Sequence, residues 1–377
     1  MSFDNLLKTP CYIVDAQKAT ELYKNFNDLI RQNGREDIVA YSVKANYNPS
    51  ILCALNQLKS YFEVCSEYEY RMLIDIGVPE DKIFISNCAA FCHDYARAGS
   101  VVILDSIEQM EQWCCKKPDQ QFGIRLNLND VTTDDRFTNK TSRFGIDISS
   151  NKFRFLINKR EIRNNLVGLQ CSLSGNSRDP SVYSDIVNRL KMIENELELD
   201  NLKYIDIGGG YKTGCKYWTF SDYIKTIYIE NNLYNYKPKI VFEPGNALVK
   251  DAGYYCTKVI AKKELYGEDV VIVDGSTMHL PKGYLKSCEY DIVQDNYTNI
   301  TSKIQKVCGA TCKESDIFFR LQDTARLSIG DIIVFKQIGA YSMYDIGTRI
   351  LGPMKIYEGS IDNYVGTKKY KNIVSGL

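Results

Sequence analysis

The chain has 377 residues, a length that suits one large or two medium domains and excludes a single small module. Hydrophobic residues make up 44% and charged residues 25%, a balance that excludes bulk disorder. Lys plus Arg and Asp plus Glu number 47 each, so the net charge of +0 argues against whole-surface binding of nucleic acid or acidic lipid.

The first residues, MSFDNLLKTP, contain neither a basic n-region nor an apolar h-region, and no apolar run of about 18 residues occurs later. The expectation is a cytoplasmic protein that does not enter a membrane. Residues 10–14 are strand-like. A short apolar, often β-branched run then recurs at 38–43, 61–65, 82–85, 101–104, 122–128, 166–171, 203–207 and 239–242. Most runs are followed by a helical pattern, such as 67–77 and 180–197. Continuous apolar runs alternating with amphipathic helices indicate buried parallel strands joined by crossovers. Eight such units over about 220 residues predict a (β/α)8 TIM barrel, with an open doubly wound sheet as the alternative. From about residue 251 the rhythm changes to strand-like segments at 254–261, 270–274, 302–307, 316–321 and 331–338, with sparse helical patterning. The expected division is a barrel over 25–250 and a β-rich C-terminal domain over 251–377, a β-sandwich or barrel that residues 1–24 join.

The 13 cysteines include no CxxC pair with zinc-finger spacing, and the two histidines, His93 and His279, leave few soft ligands, so no metal is expected. An odd, scattered count suits reduced, mostly buried thiols rather than a disulfide scaffold.

In a (β/α)8 barrel the reactive groups stand at the C-terminal strand ends. The first barrel strand ends in Tyr41-Ser42-Val43-Lys44-Ala45-Asn46. A lysine at the end of an apolar strand faces desolvation, which depresses its pKa and makes the amine a Schiff-base nucleophile; the alternative is a surface lysine opening the next loop. The seventh ends in Asp206-Ile207-Gly208-Gly209-Gly210, where backbone N–H groups can approach a phosphate, or the glycines form only a tight turn. The eighth ends in Phe242-Glu243-Pro244-Gly245, a carboxylate placed to pair with a protonated ring nitrogen or to make a loop salt bridge.

These segments, with Phe62-Glu63-Val64-Cys65-Ser66, Ser142-Arg143-Phe144-Gly145-Ile146, Gly309-Ala310-Thr311-Cys312 with Asp316, and Gly339-Ala340-Tyr341, occur in one order. Together they resemble the alanine-racemase-fold (fold type III), pyridoxal-phosphate-dependent decarboxylases of diaminopimelate, ornithine, arginine and carboxynorspermidine. The resemblance runs from Thr9 to about Pro353. It implies that Lys44 holds pyridoxal 5′-phosphate as an aldimine and that Glu243 keeps the pyridine nitrogen protonated. It also implies that Gly208, Gly209, Gly210 and Tyr341 hold the phosphate and that Glu63 and Arg125 lie near the cofactor. Cys312 would reach the active site of the partner subunit in a head-to-tail homodimer with shared sites, and either Cys312 or Lys44 would be the proton donor after carbon dioxide leaves. The implied partners are a small amino-acid-type substrate and a second copy of the chain, with no nucleic-acid polymer.

Four departures from that pattern stand out. Ser172 occupies the place of a ring-stacking histidine, and Glu243-Pro244-Gly245-Asn246 lacks the arginine that many relatives carry after the glycine. Asn246, with the segment from Asp274 to His279, looks closest to the carboxynorspermidine branch. Lys313 follows Cys312, and Lys282 lies in another loop expected near the site. A cationic pair favours a distal carboxylate or phosphate and repels a distal ammonium, although Glu314 could instead be the residue that points inward. The expected substrate is therefore an amino acid with an anionic or bulky end. One such molecule is an aminocarboxypropyl group on a natural product, of the kind found in microcin C-like nucleotide peptides. The fourth departure is the segment 356–377, which extends past the last motif. The competing readings are an amino-acid racemase with the same cofactor, a non-catalytic pyridoxal-phosphate carrier of the same barrel, and a cofactor-free Schiff-base aldolase.

Overall fold

The computed structural model describes residues 7–89, 94–128, 131, 142–172, 179–213, 218–280, 284–286, 289–294, 299–343, 354–365 and 369–372. The chain divides into two compact units, Thr20–Leu248 on one side and Met1–Ala19 with Val249–Leu377 on the other. After β1 (Cys11–Val14), eight strands close a parallel barrel: β2 (Ile38–Ser42), β3 (Tyr61–Val64), β4 (Ile83–Asn87), β5 (Val101–Leu104), β6 (Phe122–Arg125), β7 (Leu166–Gln170), β8 (Tyr204–Asp206) and β9 (Lys239–Phe242). The last strand pairs back onto the first, Ile38 with Val241 and Val39 with Phe242. Each strand is buried on both faces over most of its length, which is why its sequence is an apolar run rather than an alternation. The predicted barrel is present, and the open-sheet alternative falls.

Helix α1 (Ala16–Gln32) precedes the barrel; α2 (Pro49–Gln57), α3 (Glu67–Asp75), α4 (Ile107–Lys116), α5 (Asn151–Ile157), α6 (Arg160–Asn165), α7 (Pro180–Glu196) and α8 (Phe220–Glu230) form its crossovers. Their starts are written locally. Asn48, Ser66, Ser106 and Asp179 each accept a hydrogen bond from a backbone N–H of the first turn, and Thr219 with Asp222 forms a reciprocal capping box. Each such cap stabilises its helix by about 1 kcal/mol.

The barrel interior holds Ala40, Phe84, Ile103, Val167, Tyr204 and Val241. Tyr204 lies where β6 and β7 carry Gly123 and Gly168; a Cβ at either glycine would collide with its ring. At the seam between β2 and β9, Arg35 pairs with Asp37 at 2.7 and 2.8 Å and donates to the carbonyls of Leu233, Tyr236 and Pro238. Asp37 also accepts from Tyr228 Oη at 2.5 Å and from Ile240 N at 2.9 Å, so both charges are saturated with hydrogen bonds.

The second unit is built on β10 (Gly253–Leu265), β11 (Glu268–Val273), β12 (Tyr290–Val293), β13 (Ile300–Thr301), β14 (Gln305–Cys308), β15 (Ile317–Leu321), β16 (Thr324–Ala325), β17 (Ile332–Phe335), β18 (Lys355–Glu358) and β19 (Lys369–Asn372). A nine-stranded sheet runs β15-β14-β11-β10-β17-β12-β19, and β1 joins it, antiparallel to β10 and parallel to β18. Strand-like residues 10–14 thus belong to the β-rich part. Strands β12, β13, β16, β18 and β19 were not apparent from the sequence.

Among the described residues, no helix is long and apolar enough to cross a membrane. The ten described cysteines form no disulfide with one another, but only Cys11, Cys171 and Cys256 are buried, whereas Cys53, Cys88, Cys115 and Cys312 are exposed. The expectation of mostly buried thiols fails because several stand on the solvent sides of helices and turns.

Candidate active site

Inward-facing residues alternate along each barrel strand, so the last inward position and the turn beyond it line the C-terminal mouth. Ser42 ends β2, and the short 3₁₀ turn Val43–Ala45 follows, carrying Lys44. Gly245 packs under this turn, where a Cβ would stand 2.9 Å from the Ala45 Cβ. Lys44 Nζ donates to both oxygens of Glu63 at 2.9 and 3.1 Å, and Ser42 Oγ donates to the same carboxylate at 2.5 Å. The Lys44 side chain keeps 43% of its surface accessible while Glu63 keeps 2%. The amine is therefore paired within the mouth and still reachable from it.

A second group completes the mouth. Gln170, the last residue of β7, donates through Nε2 to Asp206 at 3.1 Å and to Glu243 at 2.8 Å. Asp206, the last residue of β8, also accepts from Gly208 N at 2.8 Å. One amide thus ties together the carboxylates at two neighbouring strand ends. Asp206 is 0% and Glu243 is 4% exposed.

The electrostatics follow from counting charges: three buried carboxylates, Glu63, Asp206 and Glu243, share the ammonium of Lys44. Burial, with Glu63 also contributing, pushes Asp206 up to about 6 even though its hydrogen bonds oppose the shift. Burial and the neighbouring Asp206 and Glu63 charges push Glu243 well above the carboxylate range. Lys44 overturns the expectation of a depressed amine. Burial does act to lower it, but the Glu63 and Glu243 carboxylates outweigh that and hold it above the ordinary lysine range. The missing information was the sign of the surroundings: an apolar strand ends here in a ring of acids.

Across the mouth, Arg125 at the end of β6 pairs with Asp105 at 3.4 Å, donates to the Ser172 carbonyl at 3.3 Å, and lies 4.3 Å from the Phe144 ring centroid. The motif around Phe144 braces this strand end: Ile146 N donates to Arg125 O at 2.8 Å and Asn127 N donates to Ile146 O at 3.0 Å. Ser172 meets the glycine triplet, since a Cβ on Gly208 would lie 2.7 Å from Ser172 Oγ. Gly208 and Gly210 have φ of +70° and +97°, and a Cβ on Gly209 would strike the Glu243 carbonyl. Tyr211 and Tyr183 donate to the carbonyls of Gly208 and Gly209, both at 3.0 Å. Asn246, exposed, begins the short helix α9 (Asn246–Val249).

These features fit a phosphorylated pyridine. A surplus of buried carboxylate suits a cationic ring nitrogen, a reachable amine suits an aldehyde, and the glycine triplet keeps its backbone open to a phosphate. Residues 19–250 match the family model described as "Pyridoxal-dependent decarboxylase, pyridoxal binding domain". The chain belongs to this family. It is an alanine-racemase-fold decarboxylase that uses pyridoxal 5′-phosphate and acts on an amino-acid-like substrate.

The decarboxylase is 24% identical over 370 residues to a diaminopimelate decarboxylase of Methanocaldococcus jannaschii, covering 89% of this chain and 82% of the relative. It is 24% identical over 350 residues to an ornithine decarboxylase of Schizosaccharomyces pombe, covering 87% and 79%. Its fold superposes on the crystal structure of the Helicobacter pylori diaminopimelate decarboxylase complexed with L-lysine with a TM-score of 0.79, at 24% identity over 98% of this chain and 94% of that one. The family match places decarboxylation ahead of the racemase, carrier and aldolase readings.

Of the residues singled out from the sequence, the decarboxylase brings together Lys44, Glu63, Glu243 and Gly245, and joins Ser172 to Arg125 and to the glycine triplet. Cys312, Lys313 and Glu314 share an exposed turn between β14 and β15 in the other unit. Asp316 holds that turn, accepting from Thr311 Oγ1 at 2.6 Å and from Thr277 N and Oγ1 at 2.8 Å. Tyr341 is 46% exposed with φ +52°, a left-handed backbone that costs a non-glycine residue about 1 kcal/mol or more. Gly339 before it permits a backbone contact with Gly253, where any side chain would collide. Lys282 lies outside the described residues. Sequence reasoning missed Ser42, Asp105, Gln170 and Asp206 as members of the mouth. Their signal was present: each is polar at or just past the end of an otherwise apolar strand.

Proposed function

We propose that this decarboxylase removes the α-carboxylate of an amino acid whose far end is anionic or bulky, and that Lys44, Glu243 and Cys312 carry the reaction. The Lys44–Glu63 pair beside the Gln170-linked Asp206–Glu243 pair, all at the ends of neighbouring barrel strands, is the observation that carries the assignment. Bound pyridoxal phosphate supplies the electron sink for the pair released as carbon dioxide departs. Lys44 supplies the amine that holds the cofactor covalently. Glu63, hydrogen-bonded by Ser42, orients that amine. Glu243 pairs with the ring nitrogen, and Asp206 and Gln170 fix its carboxyl. Gly208, Gly209, Gly210 and Tyr341, with Asn246 nearby in sequence, hold the phosphate; Arg125 and Ser172 line the same mouth. Cys312 donates a proton to the α-carbon, reaching it across a homodimer with shared sites.

The distal preference rests on charge. Lys313 is exposed and makes no ion pair among the described residues, so it is available to a distal carboxylate or phosphate, and Lys282 is the second cation that the sequence offers. Glu314 would set the opposite preference if it, rather than Lys313, faced the substrate. An aminocarboxypropyl group on a microcin-like natural product satisfies the anionic reading, in a cytoplasmic biosynthetic setting without nucleic-acid binding. The test is carbon dioxide release from a panel of amino acids differing only in distal charge, together with Lys313→Glu. The reading expects turnover of the anionic set and its loss in Lys313→Glu. Preference for distal ammonium groups in the wild-type enzyme overturns it.

A further inference from the structure

The opposite end of the barrel carries a second opening. A cavity of about 600 Å³ lies at the N-terminal strand ends, within the size range of small-molecule pockets. This end of a barrel ordinarily serves stability, with side chains closing the core. Here the lower core instead meets the cavity through aromatic rings. Tyr61 and Phe84 meet edge to face at 6.3 Å, and Phe84 and Tyr204 do so at 5.5 Å. The three rings form a continuous floor, and the Tyr204 hydroxyl is buried with no hydrogen-bond partner among the described residues. Such a floor favours a flat aromatic guest through offset and edge contacts.

The rim is charged, and its two signs are separated. Asp81 precedes β4 and Asp119 precedes β6, whereas Lys203 precedes β8 and Lys239 opens β9. In a closed barrel running β2 to β9 in order, β4 and β8 are diametrically opposed, so Asp81 and Lys203 stand across the opening. None of the four makes an ion pair among the described residues; Lys203 Nζ donates to Gln121 Oε1 at 2.7 Å. An acidic arc facing a basic arc over an aromatic floor is complementary to a zwitterion whose ring lies on the floor while its ammonium and carboxylate, carried on one carbon above it, turn toward opposite sides.

We propose that this cavity binds an aromatic α-amino acid, at a site separate from the catalytic mouth. The assignment does not depend on the substrate of the decarboxylation. The test is calorimetric titration of the holoenzyme with L-phenylalanine, 3-phenylpropanoate and phenethylamine, with cofactor absorbance followed in parallel, because an amino acid could also enter the catalytic mouth. L-Phenylalanine is expected to bind tightest of the three, without a change in cofactor absorbance. Val101→Phe, which fills the cavity, and the surface variant Lys203→Glu are each expected to weaken it by about tenfold or more while decarboxylation stays unchanged. Lys203→Glu leaves the core untouched, so it remains informative if Val101→Phe fails to fold. The proposal is overturned if no probe gives heat, if either singly charged probe binds as tightly as L-phenylalanine, or if the heat tracks a change in cofactor absorbance. Binding that survives in both variants also overturns it.

Discussion

At the seam of the barrel Arg35 and Asp37 are buried as a matched pair, and every remaining donor or acceptor finds a carbonyl, a hydroxyl or an amide. At the C-terminal mouth of the same barrel, Lys44 faces Glu63, Asp206 and Glu243, and the charges do not balance. Both clusters are polar and both are buried, so burial alone does not separate a structural from a functional group. The balance does. A saturated pair resists removal of either partner, whereas a surplus of carboxylate stores a site for a cation that the chain itself does not supply.

The largest effect expected is at Lys44. Lys44→Ala should lower turnover by roughly three orders of magnitude, the upper part of what loss of a positioned proton-transfer group costs, and abolish borohydride trapping of the cofactor. Near-normal turnover would remove the mouth from the comparison. Arg35→Ala should lower the free energy of unfolding by about 3–5 kcal/mol, because it leaves Asp37 buried without its cation. Urea denaturation measures this directly, and a loss below about 1 kcal/mol would mean that the seam is not a matched pair in the sense argued.

Glu243→Gln sharpens the contrast, since it keeps a hydrogen-bonding partner for Gln170 but removes a carboxyl that can ionise against a bound ring nitrogen. Turnover should fall by about 10²-fold, while the cofactor-free protein should become slightly more stable. A variant both less active and clearly less stable would place Glu243 with the structural pair. The last effect is the pH dependence of the cofactor-free protein. Asp206 is raised to about 6 by burial, so the folded chain binds this proton more tightly than the unfolded chain does. Stability from this group is fully present below the ordinary aspartate range and is lost as pH rises through about 6, by about 3 kcal/mol. Denaturation of wild type and Asp206→Asn between pH 4 and pH 7 reads the difference, which should be flat in the absence of such a shift.

Much of the barrel was legible because each of its eight strands is a local event: an apolar run between a cap and a turn, as in Val101–Leu104 followed by Ser106 at the start of α4. The β-rich unit was less legible. Strand β12 is four residues long with the polar Asp291 inside it, and it pairs with β17 and β19, which lie far away in the chain. Of the mouth, Lys44, Glu63, Glu243 and the glycines announce themselves through motif and position. The raised Lys44 does not, because its sign is set by Glu63 and Glu243, which are distant in sequence and adjacent only once the barrel closes. Gln170 was missed for the same reason: its importance lies in the two carboxylates it joins, not in its own neighbours along the strand.

The placement of the Tyr204 ring over Gly123 and Gly168 has an evolutionary corollary. Adding a methyl at either glycine is barred while the tyrosine stays, and shrinking the tyrosine alone would leave a hole across three strands. The three positions therefore form one heritable unit, and homologous segments exchanged between such barrels should travel with β6, β7 and β8 together or not at all.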